Sequence, residues 1–560
     1  MNSSLIPTKT ITFKTIAIIF FIFVNLFTLY RIQYGVNFFD EAFYAIGSMR
    51  FVLGQKLFIH ELGLAQTSAL LTYPLVKLHF LIWGGTEGII YSLRLAHWIL
   101  YLGLGLLIFK VLKQFISANV SLIIAGSCGL FLPGGLPTVS YNTLGTLFLT
   151  LGLFSIFKAA NPRKPYIYFV SGILMGLCSL SYITFFSIAI FMGIAIFIFI
   201  KPKKPVLFYF LGWLSIVILP GVLALMRIEE FRNCLSFAQN IEGSTNRIGR
   251  LPNIIHKFFP KTVLMTLSLW GGSCLFTYKS KSKYFFVLII FIPILALILS
   301  ELSYGKWAVY SFYLAILGFI PWLCLPKSKL IVDLTRWVFI PSFLAGVIAS
   351  MTSALGHLNA QVGLVPAALV SLVFMSEILK RAPSGFSIPS FLSLGLPILL
   401  ILPYPITIWD ETPRVSLTDR ISFGPYRGLY TSPEKRTYLE TVSRDILTYI
   451  SSKNTLFIYP NFQAGYLIAG VPPLSGILWY QPGYEIDKIL VRLYEKEANL
   501  QSRILRMNVW YAHPTMRAVN FFDENSPLIN LIHNKHHPVK ETQWLSVFVP
   551  NTVTTRANQN

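Results

Sequence analysis

The stretch TIAIIFFIFVNLFTLYRIQYGVNFFDEAFYAI, residues 15–46, decides the fold. Ile16 to Tyr30 is an unbroken apolar run behind Lys9 and Lys14, of the kind that crosses a bilayer. It resembles a secretory leader, yet no small-x-small cleavage site follows, and Arg31, Tyr34 and Asp40 come directly after it. The run therefore reads as an uncleaved first span. Beyond it, Phe38-Phe39-Asp40-Glu41-Ala42-Phe43-Tyr44 sets two adjacent carboxylates among aromatic rings at the membrane surface. Such acids are costly there unless they are solvated, paired, protonated or used.

Working outward, the same apolar character dominates all 560 residues. The chain is 54% hydrophobic and only 12% charged, where soluble domains average about 25% charged residues. Apolar windows fall at 16–31, 88–109, 119–134, 141–157, 165–181, 183–200, 205–226, 260–278, 284–300, 306–325, 337–353, 361–379 and 387–405, about thirteen spans in all. The formal net charge of +23 does not call for nucleic acid, because the cations sit in small groups between apolar windows. Those groups are Lys110 and Lys113; Lys158, Arg163 and Lys164; Lys201, Lys203 and Lys204; Lys279, Lys281 and Lys283; Lys327, Lys329 and Arg336; and Lys380 with Arg381. They mark every second connection, which places the N-terminus in the cytoplasm and the C-terminus outside. Four of the five cysteines, Cys128, Cys178, Cys274 and Cys324, lie in or beside apolar windows, and no disulfide framework is expected.

Three outer segments are too long to be turns: 32–87, 227–259 and the tail 406–560. The tail is richer in charge and alternates helix and strand. Ser432-Pro433-Glu434 opens a helix to about Ile450. Leu456 to Tyr459 reads as a buried strand, Gln463 to Ala469 as a helix, and Glu485 to Gln501 as a charged helix. Further strands are expected near Asn508 to Tyr511 and Leu545 to Val549. The whole is an all-α polytopic membrane module, residues 1–405, followed by a small extracytoplasmic α/β domain, residues 406–560. The Gly465 to Gly470 region lacks the spacing of a nucleotide-binding loop. His533, His536 and His537 read as a solvated surface cluster.

The first outer segment also carries His60-Glu61, short apolar stretches at Leu57 to Leu64 and Ala69 to Trp83 suited to helices lying in the interface, and Arg94 inside the second span. The segment 227–259 holds Arg227, Arg232, Arg247, Arg250, His256 and Lys257, a cluster against the outward-poor trend that suits either a bound phosphate or ordinary contact with lipid headgroups. Lys306 and His357 lie near the outer ends of later spans. Asp40, Glu41, His60 and Glu61 offer hard oxygen and imidazole ligands for a divalent ion. His60-Glu61 does not extend to a zinc-hydrolase motif, since position 64 is Leu.

In Asp40-Glu41-Ala42-x-Tyr44 after the first span, Gly54-Gln55, Gly84-Gly85 and Arg94, the chain resembles the GT-C superfamily of membrane glycosyltransferases. The likeness is to bacterial relatives of protein O-mannosyltransferases and of the lipid A aminoarabinose transferase. Tyr459-Pro460, Gly465-Tyr466-Leu467-Ile468-Ala469-Gly470 and Pro472-Pro473 in the tail are similar to the matching segment of those enzymes. The resemblance implies inverting transfer of a sugar from a polyprenyl-phosphate carrier to a lipid, glycan or protein acceptor on the outer face. Asp40 matches the acid that acts as base or holds a metal, with Glu41 its neighbour. Arg227, Arg247, Arg250, Lys257 and Arg94 are the expected phosphate ligands, and Tyr44, His60, Glu61, Asn142, His256 and His357 further site residues. Asp40, Glu41 and Glu61 are the candidate metal ligands. The family often has another acid in its second outer loop, whereas this chain has Pro137-Thr138-Val139-Ser140-Tyr141-Asn142, leaving Tyr141 or Asn142 as polar substitutes. Physically, a positioned carboxylate suits deprotonation of a hydroxyl, and a leaving phosphate needs cations. The competing classes are a transporter or flippase of lipid-linked substrates and a polysaccharide polymerase or ligase. The scarcity of ionisable residues in mid-span weighs against passage through the bilayer. Both Asn-x-Ser sequons, at Asn2 and Asn119, fall on the cytoplasmic side, which fits a bacterial inner membrane.

Overall fold

A computed structural model describes residues 13–241 apart from 134 and 161–163, 328–379 apart from 354 and 355, 411, 414–450, 455–459, 462–474, 502–512, 515–518 and 526–551, with isolated positions between 314 and 325 and between 478 and 494. Within these, the apolar windows become helices because in lipid every backbone N–H and C=O must bond within its own segment. Six are long and apolar enough to cross a membrane: α1 (Phe13–Arg31), α4 (Ile89–Leu112), α6 (Tyr141–Ala160), α9 (Lys204–Met226), α11 (Lys329–Thr352) and α12 (Ala360–Leu379). Shorter apolar helices are α5 (Ala118–Ser127), α7 (Pro165–Ser181) and α8 (Phe186–Phe199). These nine account for nine of the expected windows. The windows 260–278, 284–300 and 387–405, and most of 306–325, lie outside the described residues, as does the expected boundary at 405/406. The chain is a multi-pass membrane protein with a small C-terminal sheet region.

Close packing in the bundle is made by small residues, as expected where lipid removes the hydrophobic drive between helices. On α7, Gly172 abuts Tyr209 and Trp213 of α9 and Gly176 abuts Trp213 and Ile216, while Gly212 of α9 abuts Phe169 and Ile173 of α7. A Cβ at Gly172 would stand 2.0 Å from the Tyr209 carbonyl oxygen, and one at Gly212 would stand 2.1 Å from that of Phe169. Neither position can carry a side chain without parting the helices.

The first long loop contains α2 (Asp40–Val52) and α3 (Gln66–Trp83). The expected amphipathic stretch at Leu57 to Leu64 is not a helix but a run of turns. Leu57, Phe58 and Leu62 are buried in a cluster with Cys234 and Phe237 of α10 (Ile228–Ile241). Its apolar side chains therefore serve tertiary packing, not an interface.

The tail opens on a short antiparallel pair, β1 (Asp419–Arg420) and β2 (Tyr430–Thr431), and then forms a four-stranded sheet in the order β3-β4-β8-β7. It comprises β3 (Leu456–Tyr459), β4 (Arg503–Met507), β7 (His536–Glu541) and β8 (Leu545–Pro550); β3 and β4 run parallel, the other pairs antiparallel. Packed on it are α13 (Pro433–Tyr449), capped by Ser432, α14 (Ala464–Ala469) and α15 (Pro527–Lys535). The strand expected near 508–511 is two things: β4 just before it, and β5 (Val509–Ala512), which pairs with β6 (Thr515–Ala518) in a separate hairpin. The His533, His536 and His537 surface cluster is corrected too. His536 opens β7, buried, with Nε2 3.1 Å from the Ser502 carbonyl, while His537 meets Asn551.

The tail is sewn to the loop after α1. Tyr430 N–H donates to the Gln33 carbonyl, Tyr426 Oη to that of Asn37, and Ala464 N–H to that of Phe38. Glu411 accepts from Val36 N–H at 2.8 Å and Thr431 Oγ1 at 2.6 Å. Lys435, 1% exposed, bonds the Val36 carbonyl and lies 3.4 Å from Glu411.

Candidate functional site

The two adjacent acids part company at the first turn of α2. Asn37 Oδ1 accepts from the N–H groups of Phe39 and Glu41 at 3.1 and 3.2 Å, satisfying donors that a helix start leaves open. Successive side chains then diverge by about 100°. Glu41 points inward and is fully buried, where Arg94 of α4, 2% exposed, grips it through Nε at 2.7 Å and Nη2 at 2.5 Å. Arg94 Nη1 also donates to the Ile32 and Tyr34 carbonyls at 2.9 and 3.1 Å, and Nη2 to that of Gly35 at 2.9 Å. All five guanidinium N–H groups are thereby used. Arg94 and Glu41 form an anchor that ties the loop after α1 to α4, so neither stands where the sequence reading placed it, at a phosphate or a reacting hydroxyl. Asp40 is partly exposed and lies one turn before Tyr44. Burial, then Tyr141 and the Asp40 charge, push the Tyr44 phenol well above its ordinary value.

Along α2 runs a cavity that opens to solvent, with about 540 Å³ of empty space when its open side is counted. Tyr44, Gly47 and Arg50 form one wall; Gln55, Lys56, His60 and Glu61 another; Ser140, Tyr141 and Leu478 close it. Arg50 is its organiser, a residue the sequence reading missed. Its guanidinium bonds the Gln55 carboxamide oxygen, the Glu61 carboxylate and the His60 carbonyl. Glu61 also accepts from Gly63 N–H at 2.9 Å. Burial raises the Glu61 pKa against the opposing pull of Arg50, and burial lowers that of Arg50. His60 accepts from Lys56 N–H on Nδ1 at 3.0 Å, and burial, followed by the charges of Arg50, Lys56 and Arg227, lowers its pKa. The signal for Arg50 is a lone cation in an otherwise apolar helix, ten residues beyond Asp40. The tail reaches this cavity through the Pro473 carbonyl, which accepts from Gln55 Nε2 at 2.9 Å.

The second loop is held rigid at the start of α6. Ser140 N–H donates to Thr143 Oγ1 at 2.8 Å and Thr143 N–H to Ser140 Oγ at 3.1 Å, a reciprocal cap. This presents Tyr141 edge-on to Tyr44, with ring centres 5.3 Å apart, and Asn142 within hydrogen-bond reach of Tyr44. From the other side, Arg227 donates to the Leu57 carbonyl at 2.5 Å, Phe231 packs edge-on against Phe58, and Cys234 Sγ lies 3.5 Å from the Glu61 carbonyl. Tyr44, His60 and Glu61 thus line one cavity, whereas Asn142, which meets Tyr44, and Arg227, which bonds the Leu57 carbonyl, are not among its lining residues. Arg247, Arg250, His256 and Lys257 lie outside the described residues. His357 belongs to the short turn Gly356–Asn359, its side chain outside the description.

The carboxylates expected to bind a metal do not converge. Glu41 is held by Arg94 and Glu61 by Arg50, and no three His, Cys, Asp or Glu side chains among the described residues could share an ion.

An oligosaccharyltransferase of Archaeoglobus fulgidus, solved with zinc and sulfate, superposes with a TM-score of 0.45 at 11% identity, covering 87% of this chain and 68% of that one. The same enzyme tethered to an acceptor peptide gives 0.42 at 10%, over 88% and 69%. ArnT of Cupriavidus metallidurans bound to undecaprenyl phosphate gives 0.41 at 13%, over 95% and 97%. No protein-family model and no curated protein matches the sequence.

Proposed function

We propose that this protein moves one sugar from a polyprenyl-phosphate carrier to an acceptor hydroxyl at the extracytoplasmic face of a bacterial inner membrane, with inversion at the anomeric carbon. The observation that carries the reading is the division of labour on α2. Glu41 is spent on Arg94, which fixes the helix start, while Asp40 lies one turn before Tyr44, a residue of the cavity that Arg50, Lys56 and His60 also line. In the proposed step the Asp40 carboxylate takes the acceptor proton as the acceptor oxygen bonds the anomeric carbon. The bond from that carbon to the phosphate oxygen breaks, and its electron pair leaves with the phosphate. Arg227, with Arg247, Arg250 and Lys257 on the chain beyond it, offers cations to that growing charge. The Lys-rich alternate connections support the assigned orientation. A membrane lipid supplies the donor; the acceptor class is a lipid, glycan or protein. No step is routed through a metal, because Glu41 and Glu61 are already held by arginines.

The test is transfer by the purified, lipid-reconstituted protein from polyprenyl-phosphate sugars to a panel of lipid and glycan acceptors. Asp40→Asn should lower the rate by about 10²–10⁴-fold, the usual worth of a positioned base. An Asp40→Asn enzyme as fast as the parent would remove Asp40 from the chemistry.

A further inference from the structure

The turn that follows α2 is held in a strained shape. Phe58 has a φ of 66°, the one residue other than glycine in the left-handed region among the described residues, where a bulky side chain is disfavoured. Three neighbours keep it there. Gln66 Oε1 accepts from Phe58 N–H at 2.6 Å, while Gln66 Nε2 donates to the Glu61 carbonyl at 3.0 Å. Arg227 donates to the Leu57 carbonyl at 2.5 Å, and Arg50 to that of His60. What this over-determined turn sets on the cavity wall is Lys56 and His60. His60 Nδ1 accepts from Lys56 N–H at 3.0 Å, so the neutral ring carries its proton on Nε2, a donor with no partner among the described residues. The exposed Lys56 ammonium has none among them either. Glu61, the one carboxylate lining the cavity among the described residues, is already taken up by Arg50, by Gly63 N–H and by Leu478 N–H. Three cations, Arg50, Lys56 and Arg227, act on the His60 ring. The turn thus offers open donors and positive charge, and no free carboxylate.

We infer that Lys56 Nζ and His60 Nε2–H form a subsite for an anionic acceptor, taking a carboxylate or phosphate ester that the acceptor carries away from its reacting hydroxyl. The inference deepens the proposed glycosyl transfer and rests on it. Distance separates this anion from the donor phosphate. Arg50, to which the turn is tied, comes ten residues after Asp40 on α2, about 15 Å along the helix axis. A base bonds an acceptor oxygen at about 2.7 Å, and that oxygen approaches the anomeric carbon from about 3 Å, so the departing phosphate stays within about 8 Å of Asp40. The Lys56 and His60 end lies too far along α2 for the group that leaves. It is placed for a second negative charge, further along a bound acceptor. An ammonium and a single N–H bind anionic oxygens without the forked geometry of a guanidinium, so carboxylate and phosphate ester share the chemistry.

The test measures binding to full-length protein in nanodiscs of zwitterionic lipid. The probes are a disaccharide ending in a hexuronic acid, the same disaccharide ending in a hexose phosphate, their neutral counterpart, and bare undecaprenyl phosphate. The parent should bind an acidic disaccharide more tightly than the neutral one, equally well with undecaprenyl phosphate absent or saturating. The tighter of the two acidic probes names the source of the anion. Lys56→Met and His60→Asn should each lose about threefold to tenfold of the preference for acid, and the double variant all of it. Affinity for undecaprenyl phosphate should hold in all three, as should the thermal midpoint at pH 8, since Lys56 is exposed and asparagine still accepts from Lys56 N–H. A parent indifferent to the acid, or a double variant that keeps the preference, would overturn the inference. So would competition between the acidic disaccharide and undecaprenyl phosphate, which would make this the donor's own phosphate site. Failure of the parent to bind undecaprenyl phosphate would instead refute the proposed function, while the disaccharide arms still decide whether the anion subsite exists.

Discussion

Arg94→Met removes a guanidinium whose five N–H groups hold one carboxylate and three carbonyls, and leaves the stem to fill the same volume. The Glu41 carboxylate, fully buried, then loses both of its bonds to Arg94. Breaking a buried ion pair from one side costs about 3–5 kcal/mol, because the remaining charge stays desolvated. The carbonyls of Ile32, Tyr34 and Gly35 lose a donor each, and each would add about 1–3 kcal/mol if water could not reach it. Even the lower bound of about 3 kcal/mol is a factor of more than one hundred in the folded fraction. Glu41→Gln should cost less, since the amide oxygen still accepts from Arg94 and no anion is stranded. Arg94→Lys should fall between, with at most three donors for five acceptor contacts. The assay is the thermal midpoint of each variant in the same detergent, followed by intrinsic fluorescence, with proteolysis of the loop after α1 as a local readout. The expected order of loss is Arg94→Met, then Arg94→Lys, then Glu41→Gln. An Arg94→Met protein that melts with the parent and resists protease equally would refute the claim that this pair anchors the start of α2.

His60 is held below its ordinary pKa of 6.5, chiefly by burial; the folded state favours the neutral ring, so stability from this group falls as pH drops through 6.5, and His60→Asn, which keeps an acceptor for Lys56 N–H, should flatten that part of a midpoint-against-pH curve. Glu61 is held above its ordinary 4.5, again mainly by burial; stability is then lost as pH rises from about 4.5 through the raised value, and Glu61→Gln should abolish that slope in the same titration. Lys435→Met strands the buried Glu411 and should lower the detergent midpoint by the equivalent of about 3 kcal/mol, part of it recovered when Glu411→Gln is added. Gly172→Leu drives a side chain into the Tyr209 carbonyl; the expected outcome is loss of the monodisperse peak in size-exclusion chromatography, whereas Gly103→Leu, in open space on α4, should elute as the parent does.

The helical part of the fold was legible because lipid imposes one rule, about twenty apolar residues per crossing, and nine windows form apolar helices, six of them long enough to cross. The tail was legible where burial wrote a pattern: Leu456 to Tyr459 is apolar throughout, Leu545 to Val549 is apolar but for Ser546, and both form the strands expected. The strand His536–Glu541 was missed because it is an edge strand, exposed along most of its length, and a polar edge looks like a surface loop. Leu57 to Leu64 misled for the opposite reason, since its apolar residues answer to α10, some 170 positions away. At the site, the 100° divergence of Asp40 and Glu41 could be read from helix geometry alone, but not which of the two would turn inward. Arg94 shows why charge type is a weak guide: a guanidinium that suits phosphate also suits a carboxylate and a row of carbonyls, and only the fold chooses. Arg50 carried a signal, a single cation on an apolar helix, and its partners Gln55 and Glu61 stood close by in sequence.

The adjacency of the two acids has a physical use. A base that works by position must sit on backbone that does not drift, and the first turn of a helix is where backbone is least held, with donors unsatisfied and only one side supported. Asn37 supplies the missing acceptors, and Glu41, the next residue, is locked to a neighbouring span through two bonds. Any rotation of the α2 start that moved Asp40 would have to break that grip. The same economy recurs across the cavity, where Arg50 restrains Gln55, His60 and Glu61 together, and in the second loop, where Ser140 and Thr143 restrain Asn142. On the proposed reading, Asp40 meets substrate from a segment whose neighbouring residue, Glu41, is tied down. A variant that loosens an anchor, such as Glu41→Gln, should therefore reduce turnover more than it reduces binding of undecaprenyl phosphate. In the proposed reaction the lipid needs only the cavity, whereas turnover needs Asp40 held in place.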